Sequence, residues 1–190
     1  MENIKAIATF KKNKSTIIIT KIPTPFGTMI AGATITGICM LEFMDRKILE
    51  TQLDRLKKYY SADLVKGDSP FFIQLSTELQ EYFSGSRKTF DVPLDIKGTK
   101  FQESVWKALL AIPYGKTISY QEQAIAINNP KAVRAVAKAN GDNRIGIIIP
   151  CHRVIGKNGK MTGYGGKIWR KKYLLDLEKN AAHRATPHSP

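Results

Sequence analysis

Cys151 lies in the run Ile149-Pro150-Cys151-His152-Arg153-Val154, and its side chain is the one best suited to form a covalent bond. A thiolate is a soft, strong nucleophile, but a free thiol titrates near ~8.5 and needs help to ionise at neutral pH. His152 and Arg153 are expected to supply that help through their charge. Neighbouring side chains seldom face each other in extended chain, so a bridging water is the expected link between His152 and the sulfur. A third group should orient His152, as nucleophile–base pairs require. Of the three histidines, His183 and His188 fall near the chain's end, which leaves His152 as the one expected to be held in structure. Cys39 sits in an apolar run without a base nearby and reads as core filling. Taken alone, the Cys-His pair fits a buried structural cysteine better than a nucleophile. Tyr120, Arg134, Asn143 and Tyr164, taken singly, read as packing, a solvated charge, a turn residue and a ring over glycines.

Several elements must position these residues. Ser15 to Thr20, Phe26 to Ala33 and Gly37 to Phe43 read as strands, and Ile48 to Tyr60 has helical spacing. Ser69-Pro70 starts a second helix, which Gly85 ends. Thr89 to Asp95 reads as a last strand of this half. Beyond Gly98, Thr99 and Gln102 form a capping box for a third helix. Ser119 caps a helix reaching about Ile127, Asn128-Asn129-Pro130 interrupts it, and Lys131 to Asn140 follows as a basic helix. Two short helices about a tight turn form a helix-turn-helix pattern. Ile145 to Ile149 is short and apolar, as in a buried strand. Trp169 to Asn180 reads as a helix and Ala181 to Pro190 as a frayed tail. The expected division is 1–96, with 1–14 flexible, then 97–180 and a tail of 181–190.

The charge is one-sided. The net charge is +14, and residues 1–96 carry 13 Lys and Arg against 11 Asp and Glu, whereas residues 97–190 carry 17 against 5. Such a basic half suits a polyanion. Two cysteines make neither a disulfide framework nor a four-ligand zinc set. No apolar run approaches the ~20 residues of a membrane helix, and the Lys-rich start lacks a signal's apolar stretch, so a soluble, cytoplasmic monomer is expected.

Pro150-Cys151-His152-Arg153-Val154 resembles the active-site motif of the O6-alkylguanine-DNA alkyltransferases. Phe101-Gln102-x-x-Val105-Trp106, Ile112-Pro113-Tyr114-Gly115, Ser119-Tyr120, Pro130 to Val136 and Gly163-Tyr164 recur in that family's order and spacing. The strong resemblance covers about residues 89–180. It implies a ribonuclease-H-like α/β N-terminal domain and a mainly α C-terminal domain with a winged-helix-like helix-turn-helix. It implies DNA repair by direct reversal: Cys151 takes the alkyl group from O6-alkylguanine, or O4-methylthymine, once per molecule and without metal or organic cofactor. By the same resemblance His152 is the base, Glu178 orients it, Asn143 braces the turn and Tyr120 donates to the guanine. Arg134 fills the vacated base stack, and Ala132 and Ala135 let their helix enter the minor groove of double-stranded DNA. The backbone at Cys151 and Val154 reads the flipped guanine, Tyr164 and Gly165 flank its alkyl group, and Arg153 joins the DNA-binding set.

Three departures stand out. Gln123 occupies an ordinarily apolar helix position, with Ile125 as a possible compensation, and Asn128 replaces a turn glycine. Gly146 stands where some members have proline, which bears on bulky alkyl groups. The rival readings are a non-catalytic binder of alkylated DNA, a thiol hydrolase and a helix-turn-helix regulator.

Overall fold

The computed structural model describes residues 14–184, with side chains through residue 181. The expectations for the first residues and for 185–190 lie outside that span. β1 (Ser15–Ile22), β2 (Met29–Ala33), β3 (Ile38–Phe43) and β4 (Ala62–Lys66) form one sheet in the order β3-β2-β1-β4. β1 to β3 form an antiparallel meander, and β4 adds parallel to β1. All residues of β2 and β3 are buried, because both faces of the sheet are covered. α1 (Leu49–Tyr60) packs Leu56 and Tyr60 on Ile17, Ile30, Cys39 and Met40. α2 (Pro70–Ser84) lies on the other face, in a core that runs without a break into the C-terminal half. Ser69 caps α2 with Pro70 at its first position, and Gly85 closes it in the left-handed conformation, as the sequence indicates.

The C-terminal half is built from α3 (Lys100–Leu110), α4 (Tyr120–Ala126), α5 (Val133–Gly141) and α6 (Ile168–Arg184). The Thr99–Gln102 capping box is present, and Ser119 makes another with Glu122. Each cap contributes about 1 kcal/mol to its helix. Asn128 takes φ 56°, so the turn between α4 and α5 survives without its glycine. Trp106 Nε1 donates to Ala139 O at 2.8 Å and ties α3 to α5. β5 (Ile118–Ser119) pairs in parallel with β6 (Val154–Ile155). This ladder joins the start of the helix-turn-helix to the residue after the Cys151–Arg153 3-10 turn.

Three expectations change and one strand is added. Thr89 to Asp95 is not a strand: Pro93 has no N–H to give, and only Leu94 bridges to Ile38. β4 goes unread in the sequence because its five residues are mostly exposed and lack a clean alternation. α6 continues to Arg184, past the expected start of the tail. Ile145 to Ile149 is not a strand either. Ile145 bridges to Leu41, and the chain then folds into tight turns. Ile148 N donates to Gly146 O at 2.9 Å about Ile147, whose φ is 72°. Cys151 N donates to Ile149 O at 2.8 Å about Pro150, at φ −83° and ψ 61°. These are γ-turns, and the positive φ of a β-branched residue stores about 1–3 kcal/mol of strain.

Candidate active site

Asn143 sustains those turns. Its Oδ1 accepts from Ile145 N at 3.0 Å and its Nδ2 donates to Ile149 O at 2.8 Å, replacing the sheet partner that the segment lacks. The same Nδ2 donates to Cys151 Sγ at 3.3 Å. Cys151 is partly buried at the lip of the 3-10 turn, while Cys39 is fully enclosed in β3 with its thiol pushed up to about 12, chiefly by burial. Burial also raises the Cys151 thiol above its ordinary range. The Asn143 hydrogen bond and the charges of Arg46 and Lys171 pull it partway back. The sequence assigns that electrostatic help to His152 and Arg153. The structure gives it to two cations far away in the chain.

Behind the cysteine, His152 is wholly buried, and its Nε2 meets Glu178 Oε1 at 2.8 Å. Burial lowers the imidazole below its usual range and Glu178 only partly restores it, which favours the neutral ring. Nε2–H donates to the carboxylate, which leaves the lone pair on Nδ1. Nδ1 is buried and has no hydrogen-bond partner among the described residues. Burial alone would raise Glu178, yet the donors from His152 and Arg153 outweigh it and hold this carboxyl at about 2. Glu178 also accepts from Tyr82 Oη at 2.7 Å and from Gly115 N at 2.9 Å.

Arg153 departs from its expected place against DNA. It is 7% exposed, donates through Nε to Glu178 Oε2 at 2.9 Å, and donates through Nη1 to Ile112 O at 2.6 Å. A buried guanidinium beside a buried carboxylate is committed to that pair.

Residues 17–96 match the family described as 6-O-methylguanine DNA methyltransferase, ribonuclease-like domain, and residues 100–180 match its DNA binding domain. The methylated-DNA–protein-cysteine methyltransferase of Methanosarcina barkeri is 42% identical over 160 residues, covering 84% of this chain and 95% of that protein. This chain belongs to that family. The Mycobacterium tuberculosis protein of the same name is 61% identical over 105 residues, 55% of this chain and 64% of that protein, so the match spans just under two thirds of that relative. The solved O6-methylguanine methyltransferase of M. tuberculosis superposes with a TM-score of 0.73 at 40% identity, covering 91% of this chain and 96% of that one. The OGT of the same organism, in complex with DNA, gives a TM-score of 0.73 at 42% identity over 87% of this chain and 94% of that one.

The other residues carried over from the alkyltransferase resemblance fall into two groups. Tyr120, Tyr164 and Val154 belong to the same core as Cys151, and the two phenols lie close enough to the thiol for its charge to act on them. Tyr120 Oη donates to Thr162 O at 3.1 Å, which pins the loop before Tyr164. Val154 O accepts from Lys171 Nζ at 2.6 Å, and Cys151 O accepts the Val154 N–H. Arg134 and Ala135 are exposed on α5, with Ala132 partly buried at its start.

Three supports of this site escape the sequence reading. Arg46, on the chain between β3 and α1, pairs with Glu42 and donates to Gly141 O and, at 3.0 Å, to Asn143 O. Its guanidinium lies where a Cβ on Gly165 would stand, 2.6 Å from Cζ, so position 165 must be glycine for Arg46 to pass. Asp45 binds Arg170 Nη1 at 2.7 Å and Lys167 Nζ at 2.6 Å, fastening the same segment to the start of α6. Lys171 is fully buried and its Nζ bridges Val154 O and, at 2.9 Å, Thr162 O. Gly146 N donates to Leu41 O at 2.8 Å, a bond that a proline at this departure would remove. No sequence periodicity signals Arg46 or Lys171, and each lies among other charged residues, Asp45 and Lys47 about the first and Arg170 and Lys172 about the second.

Proposed function

We propose that this chain repairs alkylated DNA by moving the alkyl group of O6-alkylguanine, or of O4-methylthymine, irreversibly onto Cys151. The observation that carries the reading is the chain Cys151–His152–Glu178, with a buried Nδ1 lone pair on His152 and an Asn143 donor on the sulfur. The Cys151 S–H proton passes through one water to His152 Nδ1, and Glu178 stabilises the imidazolium through Nε2–H. The thiolate attacks the sp³ carbon in line. The S–C bond forms, the C–O6 bond breaks, and its electron pair returns to the guanine. Tyr120 protonates the departing base and is reprotonated at the expense of His152. No group here can hydrolyse the thioether, so each molecule reacts once.

The O6 substituent is inaccessible inside a duplex, so the base must leave the stack. Arg134, on the exposed face of α5, fills the gap, while Ala132 and Ala135 keep that face slim enough for the minor groove. The carbonyls of Cys151 and Val154 read the guanine edge, and Tyr164 and Gly165 flank the alkyl group. The basic C-terminal half supplies the phosphate attraction, with the protein acting as a cytoplasmic monomer.

Duplex DNA bearing labelled O6-methylguanine tests this directly. Label should appear on Cys151 at no more than one equivalent, and Cys151→Ala should bind the DNA without accepting label. Turnover beyond one equivalent, or label on Cys39, would refute the reading.

A further inference from the structure

Glu178 is reached from both domains. α6 carries it, the 3-10 turn brings His152 and Arg153, and Tyr82 arrives from α2 of the ribonuclease-like domain. Tyr82 is wholly buried, flanked by Phe83, Phe90 and Tyr114 at ring-centroid separations of 5.6, 5.3 and 6.0 Å. Those contacts leave its hydroxyl one partner among the described residues, Glu178 Oε1. That is the oxygen that accepts His152 Nε2–H. Oε1 also accepts Arg153 Nη2–H at 2.9 Å and Nε–H at 3.2 Å, so Tyr82, His152 and the guanidinium share one oxygen's negative charge. We propose that Tyr82 is a positioning residue of the relay, holding Oε1 in place and setting the basicity of His152 from the other domain.

The proposal rests on His152 acting as the base for Cys151. Burial pushes the Tyr82 phenol well above its ordinary range, so it stays a neutral donor throughout. The charged and titratable groups facing the relay are Glu178, Arg153 and Lys171 around His152, with Arg153 and Tyr114 beside Tyr82. Among these groups the Tyr82 hydroxyl is the removable influence that arrives from the N-terminal domain. Without it, the carboxylate's charge falls more fully on His152, and the imidazolium is favoured.

The test is an NMR titration of His152 in the full chain, with the signal assigned by its loss in His152→Gln. Tyr82→Phe should raise the His152 midpoint by about half a unit to one unit, as expected for a changed neighbouring charge. 3-Fluorotyrosine at position 82 keeps ring and hydroxyl but donates more strongly, and should lower the midpoint. The pH profile of alkyl transfer should follow: Tyr82→Phe loses rate several-fold on the acid limb and none at pH 8. A midpoint that moves in neither variant overturns the proposal. Midpoints that shift while the rate profile stays put would uphold Tyr82's hold on His152 and overturn His152 as the base.

Discussion

Replacing Glu178 with glutamine keeps its shape and removes its charge. The carboxylate receives Tyr82 Oη at 2.7 Å, His152 Nε2 at 2.8 Å, and Gly115 N, Arg153 Nε and Arg153 Nη2 at 2.9 Å each. A glutamine has one accepting oxygen, so its NH₂ end must face at least two of these donors. The Arg153 guanidinium is then buried without a counter-charge. Breaking a buried pair in this way costs roughly 3–5 kcal/mol. For a chain of this size each kcal/mol is worth about 2–4 °C, so Tm should fall by about 6–20 °C. Catalysis should suffer separately. A positioned general base contributes about 10²–10⁴-fold, and a His152 that has lost the partner fixing its tautomer should forfeit about 10²-fold of that. The assay is single-turnover transfer of labelled methyl with protein in excess, run well below both melting points, beside a thermal melt. An unchanged transfer rate in the folded variant would refute the relay. An unchanged Tm would refute the view that Glu178 neutralises Arg153.

Gln123→Leu restores the family's apolar residue but should destabilise the protein. Gln123 and Asn140 exchange reciprocal amide bonds at 3.1 and 2.7 Å inside the α4–α5 contact, and Ile125 is exposed and compensates for nothing. An unpaired Asn140 amide should cost about 1–3 kcal/mol in denaturant unfolding, with part recovered by adding Asn140→Ala. Equal stability of the single variant and the parent would count against this. Acid should destabilise the native state in two stages. His152 is lowered by burial, so its contribution is full above the unfolded value near ~6.5 and is lost as pH falls below it. Glu178, held at about 2, contributes fully above its unfolded carboxyl range and is lost as pH falls towards about 2. Melts from pH 8 down to pH 3 should show both losses in the parent, and Glu178→Gln should shrink the second to the share of Asp45, which Arg170 and Lys167 also hold at about 2.

The local elements were legible in the residues. Ser69-Pro70, Gly85 and the Thr99–Gln102 box bound their helices because caps depend on neighbours a few positions apart. Cys151, His152, Asn143 and Glu178 stood out through a resemblance of spaced motifs, and the structure brings those four together. Asn128 could be read as a tolerable turn residue from its own conformational preference. Other features depended on partners distant in sequence. Ile145 to Ile149 looked like a strand because a short apolar run carries no period; Asn143 folds it into turns by satisfying its backbone from the side. Arg153 entered the DNA-binding set with the resemblance, and only the arrival of α6 turned it inward to Glu178. Arg46, Lys171 and Tyr82 lie in segments that local reading assigns to a loop and to helix faces. Their roles come from tertiary contact, since a buried charge or hydroxyl takes its meaning from whichever group the fold sets beside it. The sequence thus singled out Cys151, through a resemblance of spaced motifs, and the helices that flank it. The packing of the two domains decided which groups surround Cys151 and His152, because those groups come from segments far apart in the chain.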